Sequence, residues 1–127
     1  MARLIVFAGL PASGKSTLAR AVAEDNLRLG RAVIADCVND WQLARDGWPA
    51  AGARAGAEVV WLEVICSDPA EHRRRVETRD VGIPGLPMPD WQAIQTRDYH
   101  AWNRPRRTID TAGRSIESCV EAALAAL

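Results

Sequence analysis

A chain of 127 residues has material for one domain whose core closes without disulfides. Its sixteen basic and sixteen acidic residues cancel, which argues against DNA or RNA as the main partner, because nucleic-acid binders carry a basic excess. No apolar stretch approaches the length of a membrane span, and no membrane partner is expected.

Residues 3–8, Arg-Leu-Ile-Val-Phe-Ala, form a continuous apolar run that ends at Gly9, the pattern of a strand buried on both faces. After a glycine-containing loop, Ser16 to Leu29 reads as a helix with Leu18, Val22 and Leu29 on one face and Gly30 as its stop. Residues 31–36 read as a second buried strand with Asp36 at its carboxyl end. From Asn39 to Arg54 the helical pattern is weak, because Gly47, Pro49 and Gly52 interrupt it. Trp41 and Trp48 would share a face there, in the core.

Residues 58–65 read as a third strand. Asp68-Pro69-Ala70-Glu71 then has the signature of a helix start, with a carboxylate cap, proline in the first turn and Glu at the third position. That helix runs to about Arg79. The Gly/Pro-rich stretch 82–89 is a loop. Asp90 caps a helix from Trp91 to about Trp102, with Ile94 and Ala101 facing inward. Arg107 to Asp110 is a short last strand, and Ser115 opens a C-terminal helix. Strands alternating with helices predict an α/β fold with a parallel sheet covered on both faces. Ligands of such sheets bind at the carboxyl ends of the strands, where Gly9, Asp36, Cys66-Ser67-Asp68 and Thr111 fall.

One motif carries specific chemistry: Gly9-Leu10-Pro11-Ala12-Ser13-Gly14-Lys15-Ser16 has the spacing of a P-loop. Glycines at both ends let the backbone fold into a nest whose N–H groups, from about Ala12 to Thr17, point at phosphate oxygens. The helix that follows adds its positive end. Lys15, the single Lys among fifteen Arg, would meet the β and γ phosphates of ATP, and the Ser16 hydroxyl would ligate Mg2+. Asp36 would hold a water on that magnesium or orient an attacking group.

His72-Arg73-Arg74-Arg75 with Arg79 admits two readings. The guanidiniums form a solvated face with a Glu71–Arg75 pair, or Arg75 and Arg79 reach the transferring phosphoryl group, followed by a loop that suits a lid. His72 and His100 read as surface residues. Trp91 and Trp102, beside that lid helix, read as packing residues rather than gates. The odd count of cysteines, Cys37, Cys66 and Cys119, suggests reduced and mostly buried thiols of a cytoplasmic protein. The apolar run at the start lacks a small-residue cleavage site and does not read as a signal peptide.

The P-loop, the strand ending at Asp36, the turn Cys66-Ser67-Asp68, the run Glu71 to Arg79, Tyr99-His-Ala-Trp102 and Ile109-Asp-Thr-Ala112 together resemble small bacterial P-loop kinases. This is the AAA-family-ATPase or adenylylsulfate-kinase-like group related to zeta-toxin and polynucleotide kinases. The resemblance covers nearly the whole chain and implies one P-loop domain over 1–127, a lid over about 73–102, and transfer of the γ-phosphate of Mg-ATP to a hydroxyl of a small-molecule acceptor. It implies that Arg75 and Arg79 are lid arginines, that the loop from Thr111 to Arg114 lies near adenine, and that Arg45 faces phosphate.

In one respect the chain departs from the group. Relatives insert a strand and an acceptor-binding region between the P-loop helix and the acidic strand, whereas here a single helix leads directly to Arg31. The expected sheet therefore has about four strands, ordered second, first, third, fourth. The alternative to a kinase is a nucleotide-binding module with little transferase activity. A second copy or a partner protein could cover the gap. A weaker third reading is an ATPase acting on a macromolecular partner.

Overall fold

The computed structural model describes residues 15–79, 84–85 and 87–127. Among them the protein is α/β, with five helices and one two-stranded parallel sheet. The order is α1 (Lys15–Arg28), α2 (Gln42–Ala55), β1 (Leu62–Ile65), α3 (Pro69–Thr78), α4 (Trp91–Gln95), β2 (Arg107–Asp110) and α5 (Ile116–Leu124). Close contacts group the chain into two compact units, Met1–Val59 and Val60–Leu127. The expected first strand lies outside the described residues.

In the first unit α1 ends as its sequence predicts. Gly30 adopts a φ of 73°, and the N–H groups of Gly30 and Arg31 return to the carbonyls of Leu27 and Asn26. The face it buries is not the expected one. Leu18 and Leu29 are 58% and 69% exposed, while Ala23 and Glu24 are buried. A carboxylate occupies an interior position here because Arg28 and Arg54 both pair with Glu24, Arg54 at 2.9 Å, which ties α2 to α1.

The segment expected to be only weakly helical is a continuous fourteen-residue helix, α2, with Pro49 inside it. A proline in a helix interior costs about 3 kcal/mol, and packing overrides that cost. Gly47 faces the Arg20 guanidinium so closely that a Cβ would sit 2.3 Å from its central carbon. At Gly52, which is buried, a Cβ would lie 2.4 Å from a Val59 methyl. These glycines permit close approach instead of breaking the helix. The true stop is Gly56 in the left-handed region, with the Ala57 N–H on Gly52 O at 2.9 Å.

Residues 31–40, expected to contain the second buried strand, have no regular secondary structure and are largely exposed, Ile34 at 95%. A strand exists only through its ladder, and no strand among the described residues pairs with this segment. Trp41 is 54% exposed and not a core residue, whereas Trp48 packs under the Arg20 guanidinium.

In the second unit β1 and β2 pair in parallel with Leu62 opposite Arg107 and Ile65 opposite Asp110. These are the third and fourth strands of the sequence reading. β1 begins four residues later than expected, because β2 offers only four residues to pair with. Parallel strands require a crossover, and α3 and α4 lie within it. Their starts are capped as predicted. The Asp68 carboxylate accepts from the N–H groups of Ala70 and Glu71, Asp90 from Ala93, and Ser115 from Ser118 at the start of α5.

α4 stops at Gln95 rather than near Trp102. The chain leaves the helix to place Tyr99 and Trp102 against β1. The Tyr99 hydroxyl donates to Glu63 at 3.1 Å, Trp102 Nε1 donates to that hydroxyl, and the Trp102 ring meets Trp61 edge-on at 5.4 Å. Arg106 also pairs with Glu63. Ala101, expected inward, is exposed. All three cysteines are unpaired, but Cys37 is exposed and Cys66 and Cys119 are half-buried, so none is the core thiol expected. No helix among the described residues is long and apolar enough to cross a membrane.

Candidate functional site

Gly9, Pro11, Ala12, Ser13 and Gly14 lie outside the described residues. Among the described residues α1 runs from Lys15, with Ser16 and Thr17 exposed and no acidic residue in that first turn. A helix start without a carboxylate leaves its positive end available to an anion. In the same unit Asp36 is exposed. Its carboxylate and the Ser16 hydroxyl are hard oxygen donors of the kind magnesium takes.

Arg45 lies in this unit too, and it is fully buried. Its Nε donates to the carbonyl of Asn39 at 2.7 Å and an Nη to that of Asp40 at 3.4 Å. Asn39 itself has a φ of 48°, and its side chain accepts from Trp48 Nε1 at 3.2 Å. Arg45 thus holds the chain entering α2, a position quite different from a mobile arginine facing phosphate.

The second unit brings three predicted site residues together. Thr111 follows β2, and its N–H and Oγ1 both donate to Ile65 O at 2.9 Å, so the carboxyl ends of the two strands meet there. Arg75, from the middle of α3, donates to Thr111 Oγ1 at 2.7 Å and to Thr111 O at 2.9 Å. Arg114 reaches back to Asp110 O at 3.3 Å and forward to the Ser118 carbonyl and hydroxyl at 2.9 Å. Arg75, Thr111 and Arg114 also line one open groove of about 470 Å³, whose other walls are apolar residues such as Leu62, Val64 and Val120.

Arg79 does not join this group. It is the exposed C-terminal cap of α3, its N–H on Arg75 O. His72 packs edge-on against Trp91 at 5.1 Å and is half-buried rather than a surface residue. Both Trp91 and Trp102 are therefore used in packing.

Two carboxylates that the sequence reading did not assign to the site organise it. Glu71 accepts from Gly113 N at 2.8 Å with one oxygen and from Arg75 with the other. Asp110 accepts from Ser67 N at 3.1 Å and Ala112 N at 3.0 Å. The signal for Glu71 was present, since it stands four residues before Arg75, but its contact with Gly113 spans 42 residues of sequence.

Both carboxyls lie below the ordinary carboxylate range. For Glu71 the main cause is the Gly113 N–H, with Arg75 adding to it. For Asp110 it is the Ser67 side chain, then the backbone N–H groups of Ala112 and Ser67. A lowered folded-state pKa stabilises the fold fully above the unfolded value, about 4. That contribution is lost as pH falls through the folded values. Urea midpoints measured downward from about pH 5 are expected to drop, and the drop is expected to be shallower in Asp110→Asn. Parallel curves would mean that Asp110 does not contribute.

No known protein family, curated protein or solved structure matches the chain.

Proposed function

We propose that the chain binds Mg-ATP through Gly9 to Ser16 and transfers the γ-phosphate to a hydroxyl of a small molecule. The observation that carries this reading is the P-loop motif in the sequence, whose Lys15 and Ser16 lie in helix α1 with no carboxylate in its first described turn. On this reading Lys15 neutralises the β and γ phosphates, and Ser16 with Asp36 holds Mg2+ as oxygen donors. Arg79, exposed at the end of α3, is the lid arginine with room to move. The accompanying fold is that of a P-loop protein, with residues 3–8 as a strand leading into the glycine loop. The cytoplasm is where such a protein would work.

A second reading, a nucleotide-binding module with little transferase activity, draws on two observations. Arg75 is already engaged by Glu71 and Thr111. The turn after α1 leads straight to Arg31, leaving no segment between them to clamp an acceptor. Since acceptor positioning supplies several kcal/mol of a transfer barrier, its loss slows transfer more than it weakens binding.

Phosphate release, measured with and without a panel of hydroxyl-bearing metabolites, separates the readings. Acceptor-dependent turnover at roughly 1 to 100 per second is the kinase outcome. Micromolar to millimolar Mg-ATP binding, about −4 to −8 kcal/mol, without turnover is the module outcome.

A further inference from the structure

The Glu71 carboxylate sits where cationic and N–H donors from two distant parts of the second unit converge. Gly113 N–H points at one oxygen from 2.8 Å, the Arg75 guanidinium donates to the other, and an Arg74 Nη lies 4.0 Å from it. The Glu71 side chain is only 16% exposed, and Arg75 is braced against Thr111 by two further hydrogen bonds. An N–H at the tip of a turn and paired guanidiniums are donors suited to a phosphate oxygen. In this structure they are occupied by a carboxylate of the chain itself.

We propose that Glu71 is a tethered anion, a latch that holds Arg75 and the Gly113 turn until an oxygen of a phosphate group displaces it. The proposal rests on the reading that the chain handles phosphate, and it adds regulation: Arg75 becomes available only when Glu71 lets go. Displacement requires no covalent chemistry. Glu71 lies one helical turn before Arg75, so its carboxylate competes at high effective concentration and bare phosphate binds weakly. Removing the charge while keeping the shape uncovers the site.

The test follows the backbone amide of Gly113 by NMR during titration with inorganic phosphate, and the Arg75→Ala variant tells displacement of Glu71 from binding elsewhere. In Glu71→Gln the amide is expected to shift at roughly five-fold lower phosphate than in the unaltered chain, the population a weak, partly exposed ion pair can hold back. Adding Arg75→Ala to that variant is expected to abolish the response. An equal response in both chains, or one that survives loss of Arg75, overturns the proposal.

A second measurement uses only the unaltered chain, in case Glu71→Gln fails to fold. Saturating phosphate should raise the Glu71 carboxyl pKa toward its ordinary value, because displacement removes the Gly113 and Arg75 donors. An unmoved pKa overturns the latch. A parallel titration with Mg-ATP distinguishes a nucleotide phosphate from free phosphate as the displacing group. If calorimetry shows no Mg-ATP binding at all, the nucleotide reading falls, and the phosphate titration still decides the latch.

Discussion

Lys15→Ala is expected to remove most of the Mg-ATP affinity while leaving the fold intact. A charged hydrogen bond to phosphate contributes about 2–3 kcal/mol, so the dissociation constant should rise roughly 30- to 150-fold. The substitution falls in the first residue of α1, where alanine is a good helix former, so thermal unfolding should change little. Lys15→Arg should also impair binding, since a planar fork does not replace a compact ammonium inside a backbone nest. Calorimetry of Mg-ATP with both variants is the measurement. Unchanged affinity in Lys15→Ala would remove the basis for reading Gly9 to Ser16 as a P-loop.

Arg45→Ala is expected to have the opposite signature, a large loss of stability with little direct effect on nucleotide. The side chain is fully buried and donates to the carbonyls of Asn39 and Asp40. Truncation leaves a cavity in the packed first unit and removes the donors of both hydrogen bonds. Together these cost about 2–4 kcal/mol. Arg45→Met keeps most of the volume and loses only the donors, so it should fall between the two. Urea unfolding measures the loss, and calorimetry on the folded protein measures affinity. If Arg45→Ala instead weakened Mg-ATP binding at unchanged stability, the phosphate-facing role implied by the family resemblance would replace the structural one.

The two substitutions bracket how far the sequence could be read. Lys15 is singled out by the spacing of its neighbours, and among the described residues it lies in the first turn of α1. Arg45 took a role only from the family resemblance, which implied that it faces phosphate. Its role comes from Asn39 and Asp40 folding back over α2, and from Gly47 and Gly52 letting α2 pack closely on Arg20 and Val59. The same contrast runs through the second unit. The gathering of Ser67 and Thr111 at the carboxyl ends of β1 and β2 follows from alternating strands and helices, and the two ends do meet. The engagement of Arg75 by Glu71 and Thr111 was legible only in part. The i,i+4 spacing pairs Arg75 with Glu71, but nothing local brings Thr111 or Gly113 to them.

By itself, then, the sequence determined the features whose energetics are local. Asp68, Asp90 and Ser115 cap helices because each side chain reaches N–H groups two or three residues away, and Gly30 ends α1 because it can take a positive φ. Those interactions form within one turn of chain and compete with few alternatives. Only the tertiary structure decided which face of α1 is buried, that α2 runs through Pro49, that α4 ends at Gln95, and which carboxylates hold the turn after β2. Each depends on a partner distant in sequence: Arg54 for Glu24, Arg20 for Gly47, Glu63 for Tyr99 and Gly113 for Glu71. Burial and packing outweigh local propensity at such positions, because propensities differ by about 1 kcal/mol or less per residue, whereas a buried charge left without its partner costs several.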